Sequence, residues 1–158
     1  MSELTLEEQA TNFHTFRHIE KVRNYLSKMA CKLLKRGELH DQSKLEAPEV
    51  DLFTKMTPVL KELTYGSLEY EESRAKLGPA LEHHYAKNRH HPEHWKNGIE
   101  DMNLLDLLEM LCDWKASSER HHDGNIRKSI EINGKRFEMS PQLIKIFENS
   151  VDMFTDEN

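Results

Sequence analysis

The chain has 158 residues, 37% of them apolar and 32% charged, with a formal net charge of −6. That length and apolar content suit a single domain with a core of its own, read here as residues 1–158, without disulfide or metal staples. The negative charge argues against generic binding to a nucleic-acid backbone, which favours a basic surface. No apolar run approaches the roughly 20 residues needed to span a bilayer. The acidic start, Met1 to Glu8, holds no apolar signal region, so a soluble cytoplasmic protein is expected, with no membrane partner. Cys31 and Cys112 sit inside helical apolar patterns and read as buried thiols, not a disulfide.

Taken in order, Thr5 and Glu8 have capping-box spacing and predict a helix from about residue 6 to Arg36, bent near Asn12 to His14 and stopped by Gly37. Val22, Leu26, Met29 and Leu33 recur at helical spacing and predict a buried stripe. His18 continues that stripe, either as a hydrogen-bonded core histidine or as a ligand. Lys21, Arg23, Lys28, Lys32, Lys35 and Arg36 make the same segment basic. They form a solvated face or a rim that attracts phosphorylated ligands.

Gly37 permits a reversal into a short helix from Glu38 to Glu46, which would bring His40 near His18. Pro48 and Pro58 each predict a further short helix, with Thr57 capping the second. A helix is expected from Leu68 to Lys76. Gly78-Pro79 then opens a histidine-rich helix, Ala80 to about Arg89, and Pro92 ends it. Half of the ten histidines fall between residues 83 and 94. Glu93, His94 and Trp95 are expected to wall a pocket, and Asn97-Gly98 closes the loop.

Asp101 or Asn103 caps a helix to about Ser118 that is apolar around most of its circumference and so expected to be central. Asp106, Glu109 and Asp113 form an acidic stripe on it, costly to bury unless paired or metal-bound. His121 to Gly124 reads as a break. Ile130 to Phe137 reads as a β-hairpin with Asn133-Gly134 at its tip. Ser140-Pro141 opens a last helix with Leu143, Phe147, Val151 and Phe154 on its buried face.

His18, His40-Asp41 and Asp113 stand in the order H…HD…D, which resembles the HD-domain superfamily of metal-dependent phosphohydrolases. The segments His40-Asp41-Gln42-Ser43-Lys44-Leu45-Glu46 and His90-His91-Pro92-Glu93-His94-Trp95 look like an uncharacterised bacterial and phage branch of it. The likeness covers about residues 13–120; the hairpin and last helix, 125–154, fall outside. It implies an all-α, HD-domain-like bundle in which His18, His40, Asp41 and Asp113 bind one metal ion, with Asp106 as the alternative last ligand. In two-metal members two further histidines lie between the HD pair and the last Asp. His84 and His91 are chosen for that role, with His83 and His90 as near equals, and their shorter separation permits a single-metal site instead.

Imidazole and carboxylate ligands suit Mn, Fe, Co, Ni or Zn, one or two ions. Such an ion polarises a phosphoryl oxygen and acidifies water, with Asp41 placed to orient that water. Lys44 is a candidate phosphate contact, and Glu46 or Glu93 a candidate general acid or base. The resemblance therefore implies a hydrolase acting on a small phosphorylated substrate, a nucleotide phosphomonoester first and a cyclic or signalling nucleotide diester second. A di-iron oxygenase and a non-catalytic metal-binding module are the alternatives, and a homo-oligomer is compatible with all of them.

Overall fold

The structure, a computed structural model, describes residues 4–120 and 124–155. The predicted break at residues 121–123 lies outside the described residues. The chain separates into two units, residues 1–39 and 40–158.

The first unit is one helix, α1 (Leu6–Leu39), 34 residues long, or about 51 Å at 1.5 Å per residue. The predicted capping box forms: Glu8 N–H donates to Thr5 Oγ1, and Thr5 N–H donates to Glu8 Oε2. The bend at Asn12 to His14 and the stop at Gly37 do not form; Gly37 is helical, and the helix continues two residues beyond it. Nothing in that stretch forces a break, because it holds no proline and a lone glycine costs a helix only about 1 kcal/mol. The expected buried stripe is not buried within this unit. Val22 and Met29 are about two-fifths exposed, Leu26 more so, and α1 buries no residue. Cys31 is exposed for the same reason.

The second unit holds six helices among the described residues: α2 (Val50–Lys61), α3 (Leu68–Ala75), α4 (Gly78–Lys87), α5 (Leu104–Ser118), α6 (Ile126–Arg136) and α7 (Pro141–Ser150). The all-α expectation holds. The helix predicted from Glu38 to Glu46 is instead a turn at His40-Asp41 followed by a 3₁₀ turn, Gln42–Leu45. The two helices expected at Pro48 and Pro58 are one. Pro58 lies inside α2, where it removes one i→i−4 hydrogen bond without ending the helix.

The predicted hairpin at Ile130 to Phe137 is the main correction: these residues belong to α6 and its C-cap. Asn125 caps α6, its side chain accepting from the backbone N–H of Arg127 and Lys128. Ile126, Ile130 and Asn133 then recur at i, i+4 and i+7, all buried. Glu131 and Lys135 pair across one turn at 2.7 Å. Gly134 is used for close approach rather than for a turn, since a Cβ there would stand 3.0 Å from Ile144 of α7. The main apolar core joins α5, α6 and α7 through Met110, Leu111, Ile126, Ile130, Met139, Phe147 and Val151. α5 is less enclosed than its composition suggests: Leu104 and Leu108 are exposed, and so is Cys112.

Candidate metal centre

Four pieces of the second unit bring the site together. The first is the turn after α1. Asp41 adopts the left-handed region at φ 56°, a conformation that costs an ordinary residue roughly 1–2 kcal/mol and that aspartate tolerates better than most. The second is Glu49, which directly precedes α2 and is fully buried. The third is the end of α4 with the loop after it. The helix stops at Lys87, so His84 is helical while His90 and His91 lie in the loop, His91 in extended backbone as expected before Pro92. The fourth is α5, which contributes Glu109 and Asp113.

Asp41, His84, His90 and His91 each offer a ligand atom to one group, and His40, His90 and Asp113 to a second; within each group the atoms lie within 4.8 Å of one another. These groups could hold a metal ion. His84 Nε2 lies 2.9 Å from His91 Nε2 and 3.3 Å from Asp41 Oδ1. His90 Nε2 lies 3.6 Å from Asp41 Oδ1. His40 Nε2 is 3.5 Å from Asp41 Oδ2 and 3.7 Å from Asp113 Oδ1. For ligand bonds of about 2.0–2.2 Å, the edges of a coordination polyhedron span about 3.0–3.5 Å, so these separations suit a shared cation after small adjustment.

The imidazoles are oriented by two carboxylates behind them. Glu109 Oε1 accepts from Nδ1 of His40 at 3.0 Å and from Nδ1 of His90 at 3.1 Å. Glu49 accepts from Nδ1 of His84 at 2.9 Å, from Nδ1 of His83 at 2.7 Å and from the Ser43 hydroxyl at 3.1 Å. With Nδ1 protonated in each of these bonds, His84 and His90 present the lone pair of Nε2 to the group, and His40 does so once its imidazolium loses the Nε2 proton. Two atoms then stand out. His90 Nε2 and Asp41 Oδ1 are buried and have no hydrogen-bond partner. Two acceptors facing each other without a donor are costly in a protein interior, and a cation between them removes that cost. The donor set therefore fits a transition metal.

Electrostatics agree. Asp113 and Glu109 hold the His40 imidazolium up to about 10 despite partial burial. Burial pushes the Asp113 carboxyl up, but the His40 contact and the neighbouring histidines outweigh it and hold the group well below its usual range. Burial drives His91 well below an ordinary histidine, and burial with the Lys44 charge lowers His84. Both are thus neutral and ready to ligate near pH 7.

Of the residues expected from the sequence, His40, Asp41, His84, His91 and Asp113 meet here. His90 joins them; His83 turns to Glu49. Asp106 is committed elsewhere, closing the capping box with Asn103 and pairing with Arg89 at 3.3 Å. His18 belongs to neither group: it is an exposed residue of α1, 21 residues or about 32 Å along the axis before Leu39. Lys44 pairs with Asp41 at 2.5 Å, and Glu93 pairs with Arg136 at 2.6 Å. Glu46 is exposed and belongs to neither group. His94 and Trp95 brace the loop by bonding the backbone carbonyls of Tyr85 and Arg89.

A cavity of about 260 Å³ adjoins the cluster, with His84, His91, Asp113 and Lys44 on its wall. Of the three loop residues expected to wall a pocket, Glu93 lines it and His94 and Trp95 do not. The remaining wall is aromatic and basic: Phe53, Tyr65, Tyr70, Tyr85, Trp114 and Phe137 line it, and so do Lys61, Arg74, Arg120, Lys128 and Arg136. Counting Lys44, six cationic side chains face two carboxylates, in a chain of net charge −6. The missed contributors are Glu49, which no spacing marks, and the α6 wall, hidden by the hairpin reading.

No curated protein and no solved structure matches the chain. A family model does, over residues 7–153, and on that match the chain belongs to the family described as "Family of unknown function (DUF5662)".

Proposed function

We propose that the protein is a metal-dependent hydrolase of a phosphate ester, a nucleotide phosphomonoester being the leading substrate class. The observation that carries this reading is the facing, unpartnered pair Asp41 Oδ1 and His90 Nε2 beside a basic cavity. The pair calls for a cation, and the cavity for an anion.

His40, Asp41, His84, His90, His91 and Asp113 are the residues that hold the metal, drawn from Mn, Fe, Co, Ni or Zn. When bound, the metal supplies Lewis acidity toward a phosphoryl oxygen. Lys44 lines the cavity with its ammonium on Asp41 and is the candidate phosphate contact. Glu93 also lines the cavity, ionised by its pairing with Arg136, and is the candidate general base; Glu46 is exposed and does not line the cavity. The aromatic side chains suit an unsaturated leaving group such as a nucleobase.

The test is a panel of phosphorylated metabolites, mono- and diesters, assayed with each divalent metal on wild type and Asp41→Ala. Turnover by wild type and none by the variant supports the reading, and equal turnover overturns the site. A second reading, a di-iron oxygenase, draws on the presence of two ligand groups sharing His90. It requires two irons per chain and oxygen uptake in place of phosphate release.

A further inference from the structure

The cavity has a wall whose own side chains the proposed chemistry does not use. Asn125, Lys128, Ser129, Ile132, Asn133 and Arg136 line it at helical spacing, so one face of α6 forms that wall. Along α5, Ser118 stands about 7.5 Å beyond Asp113, and Arg120 follows two residues later.

The cations of this wall differ in how they are satisfied. Arg136 is neutralised by Glu93 at 2.6 Å, and Arg74 by Glu71 at 2.6 Å. Among the described residues neither Arg120 nor Lys128 forms a close ion pair; Lys128 acts on Glu131 only through space, and Arg120 donates to the Ser117 hydroxyl at 2.7 Å. A second observation lies on the same α6 face. Asn133 is 1% exposed, and its Oδ1 accepts from the Tyr65 hydroxyl at 3.0 Å, yet its Nδ2 finds no acceptor. An amide held by one edge and unpaired at the other, beside a cavity, is a recognition group awaiting an acceptor.

We infer that Arg120, Lys128 and the Asn133 amide form a distal anion subsite, so that the substrate carries a second negative group on its leaving-group side. The inference rests on the proposed hydrolase reading, with the scissile phosphate at the metal cluster. Ser118, the last residue of α5, stands about 7.5 Å along the axis from Asp113, and Arg120 lies two residues past the helix end, so a spacer the length of a ring system separates the two anions. The aromatic lining suits a flat one. The second anion is a carboxylate or a further phosphate; both offer the oxygens that a guanidinium and an ammonium recognise.

Calorimetry on the full chain with saturating Mn²⁺ tests this with three non-hydrolysable ligands: biphenyl-4-phosphonate and the same molecule bearing a 4′-carboxylate or a 4′-phosphonate. At least one doubly anionic ligand should bind roughly tenfold tighter than the parent, and which one does so identifies the second anion. The Arg120→Gln/Lys128→Gln protein should lose most of the gain and the Arg120→Gln/Lys128→Gln/Asn133→Leu protein all of it, while Asn133→Leu alone should lose part. Parent binding with no gain from either second anion overturns this subsite and leaves the hydrolase reading standing. A gain undiminished in the double variant also overturns the assignment to these residues. Failure of all three ligands to bind removes the phosphate site and the distal subsite together.

Discussion

The lone pair of His90 Nε2 stands 3.6 Å from Asp41 Oδ1, and neither atom has a hydrogen-bond partner. Around this contact the two ligand groups meet, since His90 belongs to both and Asp41 lies within 3.5 Å of His40 as well. Removing either atom should therefore affect both groups. Asp41→Ala is expected to lose metal retention and turnover while keeping its helical circular dichroism. Retained metal in the folded variant would contradict the placement of Asp41.

Glu109 aims two imidazoles with one oxygen. Glu109→Gln keeps the size of the side chain but offers two neutral amide atoms in place of the carboxylate. It should weaken metal affinity about 10–100-fold, the usual range for losing such a partner. Glu49→Gln, behind His84, should do the same. Competition with a chromogenic chelator measures both. Wild-type affinity in both variants would show that the carboxylates serve packing alone.

The apo-protein should show a definite pH profile. His40 is raised from 6.5 to about 10. A pKa raised by folding stabilises fully below the unfolded value and is lost as pH climbs to the folded one. Asp113 is lowered from 3.8, so its contribution is present above that value and lost as pH falls further. His84 and His91 are lowered from 6.5, so keeping them neutral costs stability as pH falls below that value. Chelator-treated protein should thus be most stable at roughly pH 6.5 to 7 and should melt lower at pH 9 than at pH 6. Metal binding requires neutral His40, so affinity should rise over the same interval. Melting curves in chelator at pH 6 and 9 check the first part, and a flat profile would contradict it.

Ile130 offers a test of the fold. It is 1% exposed, on the helix that replaces the expected hairpin. Ile130→Ala should cost about 2–5 kcal/mol in denaturant unfolding. Ile132, on the cavity side of α6 and half-buried, should cost less. A hairpin would place both isoleucines on the same strand face and make their costs similar.

The sequence carried the helices whose ends have chemical signals. The Thr5–Glu8 box, the Asn103 cap and the Ser140-Pro141 start all appear where expected. It misled where a short pattern serves two periods. Ile130 and Ile132 alternate as in a strand, and Asn133-Gly134 is a good hairpin tip. The burial of Ile126, Ile130 and Asn133 at helical spacing, and the approach of Ile144 to Gly134, appear only when α7 is in place. At the site, the His-Asp dipeptide, the histidine cluster and the acidic stripe were visible as residue types. Which histidine faced inward was not, because His90 and His91 leave the helix before Pro92 and helical geometry no longer fixes their direction. Glu49 was invisible: a single glutamate beside a proline gains its role only through His83 and His84, more than 30 residues away.

The central claim, a cation held between Asp41 and His90, is tested most directly by anomalous diffraction from crystals of the full chain grown with Mn²⁺. The account predicts an anomalous peak within about 2.3 Å of Asp41 Oδ1 and His90 Nε2, with His84 and His91 or His40 and Asp113 completing the set. Ordered side chains at these positions with no peak between them, at a Mn²⁺ concentration that saturates binding in solution, would contradict it.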